Sequence, residues 1–582
     1  MKDQLNLFTG KSGYSLKTRT MKSKRRDFIK TMGAGATGFA LAGTAASACT
    51  STGPKTDTED GPVLLIGENI AVADTQYGKV KGYILRGIYY FLGIPYGADT
   101  SGPNRFMPPQ KPKPWTDIFP AVWWGNTAPQ IMEKRYANSY SSFIDHWNYD
   151  DVSEDCLRLN VFTPAVADGK KRPVMFWLHG GGFVNGNGIE QDGYNGENFS
   201  RKGDIVFVSV NHRLGPMGFT NFAVAGGEKY AASGNAGMLD LVAALEWVRD
   251  NISNFGGDPG NVTIMGQSGG GAKVTTLTAM PSAKGLFHKA VVLSGAGVKT
   301  GDKEYAEKLG SYILKEAGLN SKNISKLHEM PWMDYYQLAN RSAAKLSDEL
   351  GPASGGMRRG FNPCADGVYI PQHPYFPEPT PEAAAVPMII CSTLNEMSPS
   401  RTDAPLENIS LDEVKEKVKE RAGFGAGFKD KAGEVVDAYA KAFPGRKPVE
   451  IWSMVSSNRL GVVTLADSKS KQAPPVYVAW FCWQPPLFDN RMRAFHCIDI
   501  SFWYFNTDLM VTHSGGGARP RKLSEKMTGA LLQFMRTGNP DNGGLPSWSR
   551  YTSQSGEVMV LDDVPEMKND PDREARKSLP VV

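Results

Sequence analysis

The sequence predicts an α/β fold: a mostly parallel central sheet with helices on both faces and a more helical C-terminal part. Three observations carry this. Short apolar runs rich in β-branched residues recur along the chain. Helical patterns separate them. The 582 residues are 41% hydrophobic and 21% charged, the balance of a globular body with a large core.

Taken in order, the first run is "PVMFWL" (173–178), then "IVFVSV" (205–210), "VTIM" (262–265), "AVVL" (290–293) and "PMII" (387–390). Each is of strand length and rich in β-branched residues, and their alternation with helical patterns argues for a sheet covered on both faces. Between the second and third runs, "MLDLVAALEWVRDNI" (238–252) places Leu241, Leu245 and Val248 on one helical face. Later, "LSEKMTGALLQFMRTGNP" (523–540) reads as an amphipathic helix stopped by Gly538 and Pro540. In such sheets reactive groups sit where strands end and loops begin.

The N-terminus has a different character. "SKRRDFIK" (23–30) holds the pair Arg25 and Arg26, a weakly apolar run follows, and Ala46-Ser47-Ala48 closes it. Basic, then apolar, then small is the layout of a signal peptide, and the paired arginines give it the twin-arginine form. Residues 1–48 are therefore expected to direct export; residues 1–20 add nothing to the layout, which leaves Met21 as an alternative start. Cys49 follows the cleavage position and is a candidate for lipidation and membrane anchoring, although Ala46 stands where a lipobox usually has Leu. Residues 49–67, including "TSTGPKTDTEDGP", read as a tether. The expected location is periplasmic, membrane-anchored or secreted. The net charge of +5 comes from 65 basic and 60 acidic residues; part of that excess lies in the leader, and no basic tract suits a nucleic-acid surface. The six cysteines show no CxxC or metal spacing.

The chemistry is concentrated at "NVTIMGQSGGG" (261–271). A strand runs into Gly266-Gln267-Ser268-Gly269-Gly270, and a helix is expected from near Ala272. This is a nucleophile elbow. The serine adopts strained backbone angles, and glycines two before and two after it avoid collisions. "HGGGF" (179–183) follows the first strand. Its glycines let backbone N–H groups approach a developing oxyanion, so Gly181 and Gly182 are assigned as donors, with the N–H of Gly269 as the third. A phosphate-binding loop would need a GKS/T ending that is absent.

A serine hydroxyl needs a base, and the base needs a carboxylate to orient it. In this arrangement the chain order is Ser, acid, His. Of the histidines after Ser268, His288 lies just before a strand, His328 on a surface-like helix and His373 among prolines. His496, in "RAFHCIDISFWYFN", is the candidate base, with His513 in a Gly-rich loop as runner-up. Glu396, in "VPMIICSTLNEMSPS", follows a late strand; Asp366 and Asp403 are the alternatives.

These residues resemble the type-B carboxylesterases, the family of cholinesterases and bacterial p-nitrobenzyl esterases, with the α/β-hydrolase fold. The serine signature covers "FGGDPGNVTIMGQSGG" (255–270), and "EDCLRLNV" (154–161) resembles a second signature. "FLGIPYG" (91–97), "RFMPP" (105–109), "NHRLGPMGF" (211–219), "GNAGMLD" (234–240) and "RTGNP" (536–540) follow in family order. The resemblance spans 68–565 and leaves 566–582 as a tail. It implies Ser268 as nucleophile, Glu396 as acid, His496 as base, and Gly181, Gly182 and Gly269 as the oxyanion hole. It further implies a structural ion pair between Glu154 and Arg105, and a place near the triad for Ser294.

Three departures stand out. Gln267 replaces the Glu usual in eukaryotic members, and Arg158 replaces an aromatic or Thr. Ala128 stands where the family's partner for Cys156 would be, so Cys156 is expected to be a free, buried thiol. The implied reaction is hydrolysis of a small-molecule ester through an acyl-enzyme, requiring neither metal nor cofactor. Hydrolysis of amides, polyesters or ester-containing toxins is the alternative. Non-catalytic relatives of the same fold usually lack a triad member, and this chain keeps all three. "VWWGN" (122–126) and "SFWYFN" (501–506) are candidates for pocket lining, though such stretches are more often core.

Overall fold

A strand that is apolar on both faces is stable only inside a sheet covered on both sides, and the five apolar runs lie there. The computed structural model describes residues 62–131, 151–351, 359–423 and 425–580. Twelve strands form the main sheet. In chain order they are β1 (Leu64–Leu65), β2 (Tyr83–Leu85), β3 (Ile88–Pro95), β4 (Arg158–Thr163), β5 (Arg172–Leu178), β6 (Val206–Val210), β7 (Gly257–Gln267), β8 (Lys289–Leu293), β9 (Met388–Thr393), β10 (Val476–Phe481), β11 (Glu557–Leu561) and β12 (Glu566–Asn569). Their spatial order is β1-β2-β3-β4-β6-β5-β7-β8-β9-β10-β11-β12. Every neighbouring pair from β6 to β11 is parallel. The flanks, β1 to β4 on one side and β12 on the other, are antiparallel.

Helices cover both faces. The principal ones are α1 (Ala236–Asn251), α2 (Gly269–Leu277), α3 (Lys303–Glu316), α4 (Trp332–Leu350) and α5 (Ala518–Thr537). Helix α5 ends as its sequence predicts, with Gly538 in the left-handed conformation as the C-terminal cap. Strand β7 is longer than its apolar core "VTIM": its first half, "GDPGN", is polar, and the register with β5 shifts between Gly257 and Val262. Helix α2 starts at Gly269, three residues before the expected start at Ala272. Glycine weakens a helix on its own account, but here close packing holds the three glycines in helical form.

Several expectations can be placed directly. Arg105 and Glu154 form a buried pair with two bonds of 2.6 Å, and Arg105 also donates to the carbonyls of Leu327 and Met330. Cys156 is a buried free thiol beside Arg213 and Asp240, pushed well up in pKa by burial. "SFWYFN" is core, with Phe502, Trp503 and Tyr504 fully buried, whereas Trp123 of "VWWGN" is 70% exposed. His328 is buried, contrary to its surface-like sequence setting: its ring bonds Tyr230 Oη and the Gly102 carbonyl, each at 2.9 Å.

Strand β1 lies within the stretch read as a tether, and β12 lies within the stretch read as a tail. Arg576, beyond β12, pairs with Asp570 at 2.6 Å. The twin-arginine segment (1–48) and Cys49 lie outside the described residues. No helix among the described residues is long and apolar enough to cross a membrane.

Candidate active site

The loops singled out from sequence all leave the sheet at the C-terminal ends of its parallel strands. His179–Phe183 follows β5, Ser268 follows β7, Ser294 follows β8, Glu396 follows β9, and His496 lies on the long connection after β10.

Ser268 is the junction between β7 and α2, with φ 57° and ψ −120°. A non-glycine residue there is strained, and its surroundings hold it. Its N–H donates to the Leu293 carbonyl at 2.8 Å, and its carbonyl accepts from the Ala272 N–H at 3.1 Å. A β-carbon on Gly266 would lie 2.3 Å from the Gly270 carbonyl oxygen, and one on Gly270 would lie 2.0 Å from that of Leu178. Any side chain at either position would push the elbow open.

The glycine loop packs against this elbow. Gly181 and Gly182 have φ of 80° and 66°, a conformation that favours glycine. A β-carbon on Gly269 would lie 2.4 Å from the Gly182 nitrogen, and one on Gly180 would lie 3.6 Å from Ser268 Cβ. Among the described residues the N–H groups of Gly181 and Gly182 have no acceptor. They are therefore available to a negative oxygen beside Ser268.

Glu396 is buried, with φ 58°. Its Oε1 accepts from the Thr393 N–H at 3.1 Å. Its Oε2 accepts a short hydrogen bond from His496 Nδ1. The two residues are also joined through backbone, since the His496 N–H donates to the Glu396 carbonyl at 2.8 Å. Asn395 reinforces the junction: its Oδ1 accepts from the Ala494 N–H and its Nδ2 donates to Ser453 Oγ. With Nδ1 protonated toward Glu396, the Nε2 lone pair faces the elbow and accepts from Gln267 Nε2 at 3.0 Å. The departure Gln267 thus puts a neutral amide beside the imidazole.

The alternatives are engaged differently. Asp366 organises its own loop, accepting from the N–H groups of Val368, Tyr369 and Ile370 and from Asn235 Nδ2. Asp403 is exposed. His513, itself buried, is on a short helix, its ring packed edge-on to Phe495 at 5.2 Å. Ser294 has φ 45°, and its buried Oγ has no partner among the described residues. It stands next to the elbow, because a β-carbon on the adjacent Gly295 would lie 1.9 Å from the Ser268 carbonyl oxygen.

Two groups were not singled out in the sequence. Asp499 is fully buried, accepts from Trp503 Nε1 at 3.2 Å, and leaves Oδ1 without a partner among the described residues. Burial first, and the Glu396 charge second, push its carboxyl up to about 7. Its position three residues after His496, in an apolar stretch, is the signal that could have found it. Lys273, in α2, is the other. Among the described residues no three His, Cys, Asp or Glu side chains cluster as a metal site.

The Asp499 shift has a consequence for stability. A carboxyl raised above its unfolded value of about 3.9 keeps its proton longer when folded. Its contribution is complete below about pH 4 and is lost as pH rises through about 7. Asn cannot ionise, so the melting temperature of Asp499→Asn relative to the unmutated protein should be more favourable at pH 8 than at pH 5. An equal difference at both pH values would refute this.

The carboxylesterase family model matches residues 69–578. The chain belongs to the carboxylesterase family. Para-nitrobenzyl esterase of Bacillus subtilis (strain 168) is 33% identical over 523 residues, covering 87% of this chain and 98% of the relative. Phenmedipham hydrolase of Pseudarthrobacter oxydans is 30% identical, covering 84% and 95%. A solved esterase of the anaerobe Clostridium hathewayi, described as able to hydrolyse aliphatic aromatic polyesters, is 33% identical with a TM-score of 0.75 over 88% of this chain and 98% of that one. The family brings with it the α/β-hydrolase fold seen above, and the chain is a carboxylesterase, an enzyme that hydrolyses carboxylic ester bonds.

Proposed function

We propose that the protein hydrolyses small carboxylic esters in two acyl transfers, with Ser268 as nucleophile, His496 as base and Glu396 as its orienting acid. The observation that carries this is the chain of contacts from Glu396 through His496 to Gln267, the residue before Ser268 in the elbow. His496 Nε2 exchanges the bond it accepts from Gln267 for one from Ser268 Oγ–H, and takes the serine proton as Oγ attacks the ester carbonyl. The imidazolium that forms is held by the buried Glu396 carboxylate. The N–H groups of Gly181, Gly182 and Gly269 receive the oxyanion, and the positive end of α2 favours it further. Collapse expels the alcohol, protonated by His496, and leaves the acyl group on Ser268. Water then repeats the sequence and frees the acid.

Rapid-mixing hydrolysis of p-nitrophenyl acetate and butyrate tests this reading. An initial burst of p-nitrophenol approaching one equivalent per chain, followed by slower turnover, is expected where deacylation limits the rate. Turnover that incorporates no acyl group into acid-quenched protein would overturn it.

The proposal includes export. Arg25, Arg26 and the small-residue boundary before Cys49 support a twin-arginine leader, and Cys49 supports lipid attachment after its removal. Intact-mass analysis of protein recovered from the native cell envelope should show a chain starting at or near Cys49. A chain that retains residues 21–48 would contradict export.

A further inference from the structure

Lys273 follows Ser268 by little more than one turn of α2, and none of its surface reaches solvent. Lysine is rarely buried without a carboxylate partner. Among the described residues none lies within hydrogen-bond distance of this one. Its Nζ instead donates to the His179 carbonyl at 3.0 Å. Helical side chains lean toward the N-terminus, which carries this one back toward the elbow. An ammonium there opposes the helix dipole and pays a desolvation cost, so local helix stability does not account for it.

What it touches does. A β-carbon on Gly270, the residue one turn earlier, would lie 2.0 and 2.8 Å from the carbonyl oxygens of Leu178 and His179, and Gly269 packs on Gly182. Three residues of α2 therefore grip the glycine loop at its start and its end, and Lys273 is the only one of the three to do so through a hydrogen bond. Around it lie neutral bases. The rings of His179 and His212 stack at 5.3 Å, and burial, followed by the Lys273 charge, holds both pKa values well below the usual histidine range. Burial likewise lowers Lys273 to about 7, with the Glu190 carboxylate opposing.

We propose that Lys273 is a positioning residue of the oxyanion hole: its ammonium pins the His179 carbonyl, so that the N–H groups of Gly181 and Gly182 stay aimed beside Ser268. The inference rests on the hole assigned under Proposed function. It is read as a ratio of variant to unmutated enzyme, so an unmutated enzyme without esterase activity would sink that assignment separately.

The test compares the unmutated enzyme with Lys273→Met and Lys273→Gln. It measures kcat and KM for p-nitrophenyl butyrate, the Ki of an alkyl trifluoromethyl ketone, and the melting temperature. The ketone adds to the serine and leaves an oxyanion in the hole. The methionine variant should lose about 10- to 100-fold in kcat, with KM within about twofold and the ketone weakened by a matching factor. The glutamine variant is read in the same way. A folded variant with kcat within about twofold of the unmutated enzyme would overturn the proposal. So would a loss of kcat with ketone affinity unchanged. Folded protein from neither variant would assign Lys273 to the fold and equally overturn it.

Discussion

Ser268→Ala should lower kcat/KM for p-nitrophenyl butyrate by about 10⁴- to 10⁶-fold, to a residue of activity left by binding and the oxyanion hole. The size follows from the role. Removing Oγ removes the acyl-enzyme route altogether, and no other hydroxyl on the elbow replaces it. The fold should not suffer. The strained backbone at φ 57° is held by bonds from the Ser268 N–H and carbonyl, which alanine keeps, and alanine is no worse than serine in that conformation. A melting temperature within a few degrees of the unmutated protein is therefore expected alongside the loss of rate. Substantial turnover by a folded Ser268→Ala variant would remove Ser268 from the mechanism.

His496→Ala should cost a similar factor, because nucleophile and base act as one unit. His513→Ala should stay within about tenfold, since His513 packs edge-on to Phe495 and carries no proton in the scheme. Glu396→Gln should fall between, at about 10⁴-fold, by presenting the wrong partner to Nδ1. Asp366→Asn, which loosens the loop that Asp366 organises, should lie near His513→Ala. Steady-state kinetics on the four variants gives the ranking. A loss from Asp366→Asn larger than that from Glu396→Gln would reverse the acid assignment, and dependence on His513 would reverse the base.

The parts of this protein that read clearly from sequence are those whose burial is symmetrical. Strands β5, β6, β8 and β9 are apolar on both faces and stand out as runs. Strand β7 was legible only over its apolar half, because its "GDPGN" half is polar and largely falls in the register shift between Gly257 and Val262. The antiparallel strands β3 and β4 entered only as family motifs, with no alternation of their own to mark them. The elbow was legible because its glycines are forced by contacts within a few residues. The pairing of Glu396 with His496 was harder, since it joins positions a hundred residues apart and depends on β9 and β10 lying side by side. Lys273, Asp499 and His328 were misjudged or missed for one reason: polar side chains are mostly exposed, and only the tertiary structure shows that these three are not.

The central claim is that one serine, Ser268, carries the acyl group. Labelling with diethyl p-nitrophenyl phosphate, followed by peptide mass mapping, tests it most directly. The account predicts one diethylphosphoryl group per chain, on the peptide containing Ser268, with activity falling in proportion to labelling and with much slower labelling of His496→Ala. Activity that survives complete modification of Ser268, or inactivation with the adduct on another residue, would contradict it.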